Sequence, residues 1–108
     1  MRDCVFCKII RKELPAEIVY EDSSFMVFKD IHPAAKTHLL VVPKKHVASV
    51  NELEDADLAG GLVMTARKIA LEQKLSSYKL LINTGSNAGQ TVDHLHMHLI
   101  GGEKLPYL

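Results

Sequence analysis

No sign of charge dominates this chain. Thirteen Lys and Arg face thirteen Asp and Glu, so the formal charge is zero with the six histidines counted neutral. That balance excludes a broad electrostatic nucleic-acid surface and a polybasic membrane anchor. It leaves room for a local phosphate site, which needs only a few donors. No stretch approaches the ~18 consecutive apolar residues of a membrane span. The opening Met1 to Lys8 has no apolar core ahead of a small-residue cleavage site. The expected setting is therefore the cytoplasm, with neither a membrane nor a nucleic acid as partner. Internal repeats, low-complexity segments and linkers are all lacking. Cysteine is scarce: Cys4 and Cys7 are the only two. In a reducing compartment a C-x-x-C pair points to metal binding or redox chemistry ahead of a structural disulfide.

What is present fits one soluble domain spanning residues 1–108, with 47% hydrophobic and 24% charged residues and enough length to bury a core. Residues 17–20 and 25–28 read as two short strands joined by turn chemistry at Asp22-Ser23-Ser24. Residues 38–42 read as a third strand closed by Pro43. Residues 78–83 give a fourth and residues 91–100 a fifth. Residues 55–73 form the main helix, with Leu58, Leu62, Ala66, Ile69 and Gln73 on one stripe. Gly60 and Gly61 interrupt it at a cost of about 1 kcal/mol each relative to Ala, and predict a close helix–helix contact. Residues 5–11 form a short helix. The sum is an α+β fold, with a mostly antiparallel sheet of about five strands, one long helix and one short one.

Histidine is the unusual component, with three residues inside His94-Leu95-His96-Met97-His98-Leu99-Ile100. On a continuous strand Leu95, Met97 and Leu99 would cover the core, and the histidines would line the opposite face about 7 Å apart. Three imidazolium ions in a row repel, so some must be neutral or face an anion or a metal. A metal cage of the H-x-H-x-D-H kind lacks its carboxylate here. Phosphate chemistry fits better, because imidazole attacks phosphorus at neutral pH and neighbouring imidazoles can donate to phosphate oxygens. The loop Asn83 to Thr91, with Gly85 and Gly89, leads directly into this segment, and its backbone N–H groups can form an anion-binding concavity.

These residues resemble a known family. His94-Leu95-His96-Met97-His98-Leu99-Ile100 is similar to the histidine triad (HIT) signature, in which histidines alternate with hydrophobic residues. Phe6-Cys7-Lys8-Ile9-Ile10, Phe28-Lys29-Asp30-Ile31, Thr37 to His46, Asn83 to Thr91 and Gly101-Gly102 extend the resemblance over nearly the whole chain. It looks like the Hint branch of nucleoside phosphoramidate hydrolases. The resemblance implies a HIT-like fold, and a hydrolase that cleaves the P–N bond of purine nucleoside 5′-phosphoramidates through a nucleotidyl-histidine intermediate. It makes His96 the nucleophile, with His98 and His38 flanking it and Thr91 supplying a hydroxyl near the leaving group. Gly89, Gln90 and Thr91 match the phosphate-contacting triplet, Gln90 as an amide donor. Asp30 resembles the ribose-binding carboxylate and Asn83 the amide that positions sugar and phosphate. Phe6, Ile9, Leu14, Phe28 and Ile31 resemble the apolar walls around the base.

The resemblance also supplies His46 and His94 as partners for Cys4 and Cys7 in a closed, structural zinc site, with no organic cofactor. A redox pair remains the rival reading of the cysteines. A homodimer is implied, in which the tail, including Tyr107, helps shape the partner's site. Two residues depart from the usual pattern. His32 is either a surface loop histidine or a contact to the nucleotide edge, and Asp93 either bonds a neighbouring histidine or faces water. Two other functions stay open: a dinucleoside polyphosphate hydrolase, and a nucleotide-binding interaction module with little turnover.

Overall fold

A computed structural model describes residues 4–108. Residues 1–3 of the expected domain, and with them the first part of the opening segment, lie outside the described residues. The chain runs α1 (Val5–Ile10), β1 (Ile18–Glu21), β2 (Phe25–Lys29), β3 (Thr37–Pro43), α2 (Ala56–Glu72), β4 (Tyr78–Leu81) and β5 (Met97–Gly101). The strands form one sheet in the order β1-β2-β3-β5-β4, and every neighbouring pair is antiparallel. The α+β architecture expected from the sequence is the one observed.

Local chemistry explains the elements. Asp22 closes the β1–β2 hairpin, its Oδ1 accepting from the N–H groups of Ser24 and Phe25 at 2.8 Å each, the Asx arrangement that favours a tight turn. Asp55 caps α2 by accepting from the Leu58 N–H at 3.0 Å, which satisfies one orphan donor of the first turn.

The sheet is covered on both faces. Phe25 and Val27 of β2, Leu39 and Val41 of β3, and Met97 and Leu99 of β5 pack under Leu62, Ala66, Ile69 and Ala70 of α2. The alternate residues Met26, Phe28, Leu40 and Val42 pack with Phe6 of α1 on the opposite face. This period-two division decides where chemistry can sit. α1 is short and leaves its face partly open, and His38 and His98, out of phase with Leu39 and Leu99, belong to that face.

Three expectations are corrected. The buried stripe of α2 takes in Thr65 and Ala70, while Gln73 is the exposed C-cap. Gly61 does not serve a helix–helix contact: a Cβ there would lie 2.7 Å from the Phe25 ring, so the missing side chain lets α2 settle on the sheet, and Gly60 faces open space. The fifth strand begins at Met97 and not at Thr91. Residues 91–96 leave the ladder because side chains take their carbonyls. Gln90 Nε2 donates to the Val92 carbonyl at 3.0 Å, and His96 Nδ1 lies 2.7 Å from the His94 carbonyl. Across the sheet, Pro43 has no N–H to offer.

Candidate functional site

Because residues 91–96 are irregular, the three histidines do not form an evenly spaced row. They divide between two sites. His94 is fully buried and turns toward α1. Its Nε2–H donates to the Pro43 carbonyl at 2.8 Å, which leaves Nδ1 unprotonated. That Nδ1 lies 3.3 Å from Cys4 Sγ and 3.6 Å from Cys7 Sγ. His46 Nδ1 lies 3.3 Å from Cys7 Sγ. The four ligand atoms all fall within 4.8 Å of one another.

These residues fit a tetrahedral metal. With Zn–S about 2.3 Å and Zn–N about 2.0 Å, tetrahedral angles put sulfur and nitrogen roughly 3.5 Å apart. The donor set of two thiols and two imidazoles suits zinc, and the His94–Pro43 bond provides the outer hydrogen bond that orients a ligating imidazole. Burial holds the His94 and His46 imidazoles below their ordinary range, so both keep a lone pair. Burial and the neighbouring Cys4 push the Cys7 thiol up, a shift that a bound divalent cation reverses by stabilising the thiolate. Both cysteines are free thiols, the state in which they can ligate a metal.

His96 faces the other way. It is 5% exposed and contributes to a cavity of about 390 Å³ between α1, the β2–β3 loop and the start of β5, within the range of small-ligand sites. Its Nδ1 donates to the His94 carbonyl, because a carbonyl can only accept. The Nε2 lone pair is therefore free to act as a nucleophile. Phe6 holds the ring from the side, edge-on at 5.1 Å between centroids, and also packs on His94 at 5.9 Å. One phenyl group thus joins the Cys/His cluster to the cavity.

His98 stands 5.2 Å from His96 between ring centroids. Its pKa is pushed down to about 4, chiefly by burial and then by His96 and His38, so it is neutral at pH 7. His38 Nε2 lies 2.8 Å from His98 Nδ1 and 3.3 Å from Asp30 Oδ2. The other oxygen of Asp30 accepts from the His32 N–H at 2.8 Å.

The residues that the sequence nominated are distributed unequally. Phe6, Ile9, Leu14, Phe28 and Ile31 line the cavity, together with Asp30, Thr91, His96 and His98. His38 stands behind them. Asn83, Gly89 and Gln90 are not in the lining. Gln90 is buried, and its amide is spent inside the protein: Nε2 donates to the Ala48 and Val92 carbonyls, and Oε1 accepts from Gly85 N–H. It braces the loop and has no N–H left for a phosphate. Asn83 Nδ2 donates to the Ala88 carbonyl at 2.8 Å, and Gly89 holds φ at +94°, a left-handed turn suited to Gly. These three residues shape the loop that delivers Thr91.

Lys29, Leu40 and Val92 also line the cavity and were missed, because nothing in their types or spacing separates them from ordinary strand and loop residues. His32 is exposed but stands at the cavity's rim, whereas Asp93 is exposed and outside the lining. A wider hollow of about 580 Å³ lies beside Lys45, His46, Glu52 and Asp55, but its one imidazole, His46, turns its Nδ1 to Cys7 Sγ.

An α+β sheet carrying an unprotonated imidazole nitrogen in an apolar cleft, beside a Cys₂His₂ cluster, defines a class of small histidine-based proteins. The comparisons narrow it. Residues 3–105 match the family described as scavenger mRNA decapping enzyme C-term binding. A HIT-like protein of Synechococcus elongatus is 46% identical, covering 97% of this chain and 95% of its own length. A HIT family hydrolase from Legionella pneumophila superposes with a TM-score of 0.94 at 42% identity, over 97% of each chain. A zinc-bound histidine triad family protein from Mycobacterium smegmatis has a TM-score of 0.87 at 32% identity, over 98% of this chain and 81% of that one. The chain belongs to the histidine triad family.

Proposed function

We propose that this HIT family protein is a nucleotide hydrolase that cleaves the P–N bond of purine nucleoside 5′-phosphoramidates, with residues 1–108 acting as one catalytic domain. The observation that carries the reading is the tautomer of His96. Its Nδ1–H is committed to the His94 carbonyl, so Nε2 meets the cavity with its lone pair available. The apolar walls suit a base, and Asp30 offers acceptors to ribose hydroxyls. The hydrolase named among the structural relatives supports the reaction class.

In this mechanism Nε2 of His96 attacks the α-phosphorus. The N–P bond to the enzyme forms as the substrate's P–N bond breaks, and the leaving amine takes up a proton from solvent, which is returned when water attacks in the second step. The His94 carbonyl stabilises the positive charge that develops on the ring. His98, neutral, is placed to donate to a phosphoryl oxygen, and the Thr91 hydroxyl stands at the same cleft. Water then attacks the nucleotidyl-histidine, releasing the nucleoside monophosphate and restoring His96. Splitting one displacement into two lowers each barrier.

Cys4, Cys7, His46 and His94 would hold a structural zinc, as the donor set and the zinc-bound relative support. With four protein ligands it would be closed to water and would supply a clamp, not a Lewis acid. A homodimer is supported by the free edge at β4, where Tyr78, Leu80 and Leu81 remain exposed on a strand whose outer ladder is open. A cytoplasmic setting is part of this reading, because a reducing compartment would keep the free thiols of Cys4 and Cys7 available as ligands. Among the described residues, no helix is long and apolar enough to cross a membrane.

The direct test is rapid quenching of the protein with adenosine 5′-phosphoramidate, followed by intact-mass measurement. Wild type should carry an adenylyl adduct that is lost in His96→Ala. Turnover that survives His96→Ala would overturn the mechanism. Running diadenosine polyphosphate in parallel separates the phosphoramidate reading from the polyphosphate one.

A further inference from the structure

His38 touches a main-chain donor that settles more than its own position. The Ala34 N–H donates to His38 Nδ1 at 2.9 Å. A backbone N–H can only donate, so Nδ1 must hold a lone pair and the ring's single proton must sit on Nε2. That Nε2–H points at His98 Nδ1, 2.8 Å away. His98 Nδ1 is then the acceptor, and the His98 proton is forced onto Nε2. Three groups in series leave no freedom: one amide fixes two imidazoles. His98 lines the cavity and His38 is 8% exposed, so the far end of the chain is in the cleft and its middle is shielded from water, while Ala34 itself lies at the surface. The proximity of Asp30 Oδ2 to the same His38 Nε2, at 3.3 Å, agrees with a proton on that nitrogen.

We propose that the main-chain N–H of Ala34, in the loop between β2 and β3, is a positioning group. Acting through His38, it fixes His98 as a hydrogen-bond donor into the cleft. The two neighbouring cleft imidazoles thereby hold opposite tautomers. His96 carries its proton on Nδ1 and offers a lone pair on Nε2, while His98 carries its proton on Nε2 and offers a donor. A nucleophile and a phosphate donor are needed side by side, and two imidazoles free to exchange tautomers would hold that pairing only part of the time. An exposed loop residue whose methyl side chain does no chemistry thereby acts through its main chain. This role deepens the reading of the cleft as a phosphate site, but it concerns the free protein and is tested without substrate.

The test is nitrogen-15 NMR of the histidine side chains in the wild type at pH 7. The expected result is a lone-pair Nδ1 and protonated Nε2 for His38 and His98, the reverse for His96, and measurable N–N scalar couplings across the Ala34–His38 and His38–His98 hydrogen bonds. A protonated Nδ1 on His98, or no coupling from Ala34 to His38, overturns the proposal. Ala34→Pro removes the N–H and should let His98 exchange tautomers. Ala34→Gly keeps the N–H and should retain the wild-type pattern. Unaltered tautomers in a folded Ala34→Pro protein would also overturn the proposal. Phosphoramidate kinetics then read the consequence: Ala34→Pro should lower kcat on the order of tenfold, the effect of losing one aligned donor, with KM little changed. If the NMR pattern stands but no phosphoramidate is turned over, the proposed activity fails and the positioning role survives.

Discussion

At the scale of single residues, the cleft is organised by who holds each proton. The His94 carbonyl, the Ala34 N–H and the Pro43 carbonyl each assign one ring. His98 adds a pH signature. Its folded value of about 4 lies below the ordinary imidazole value of about 6.5. Between those two values the unfolded chain takes up a proton that the folded chain refuses, so stability falls as the pH drops from about 6.5 toward 4 and is insensitive to this group above that window. Denaturant titrations at pH 4.5 and pH 7.5 should show a clear loss of stability in the wild type and a smaller one in His98→Asn. An equal loss in both proteins would place the dependence elsewhere. The sequence displayed the residue types in the signature, and the cavity contains five of the five apolar wall residues it nominated. It did not show that Gln90 turns inward, because an amide's choice between a ligand and three protein partners is a matter of distance.

At the scale of elements, helix and strand types were readable from periodicity, and boundaries were readable where caps or turns enforce them. Asp55 and Asp22 are two such cases. The fifth strand was overextended because alternation of hydrophobic and polar residues survives even where the backbone leaves the ladder. The two glycines of α2 separate propensity from packing. Gly60→Ala meets open space and should raise protomer stability by about 0.5–1 kcal/mol through helix propensity. Gly61→Ala gains the same propensity but drives a methyl to 2.7 Å from the Phe25 ring, and overpacking of about 1–3 kcal/mol should leave it less stable than wild type. Chemical denaturation of the two variants checks the contrast, and a Gly61→Ala protein as stable as Gly60→Ala would show that the ring moves aside freely.

At the scale of the whole molecule, the Cys/His cluster and the cleft are joined twice. His94 offers Nδ1 to the cluster and its carbonyl to His96, and Phe6 packs on both imidazoles. Stripping metal with a chelator should therefore lower Tm by more than about 5 °C and slow phosphoramidate turnover, and added zinc should restore both. Calorimetry and steady-state rates on the same samples check this, and an unchanged Tm would separate the cysteines from stability. The open apolar edge of β4 should pair two protomers. Sedimentation at micromolar concentration should give twice the 12.0 kDa chain mass, and Leu80→Lys should shift it toward the monomer by placing a desolvated charge in the interface.

Fold class and family were legible in the chain alone, and the signature nominated His96 as the nucleophile. Hydrophobic period and the order of chemistry-bearing residue types are properties of the chain, and both survive without coordinates. The family resemblance also divided the histidines between a cluster and a cleft, but which nitrogen of each ring carries its proton came from the folded arrangement alone. Those proton positions depend on the carbonyls of Pro43 and His94, which any residue supplies, and on the N–H of Ala34, which any residue except proline supplies. A backbone group leaves no mark in a sequence, so the arrangement it dictates becomes visible only when the chain is folded around it.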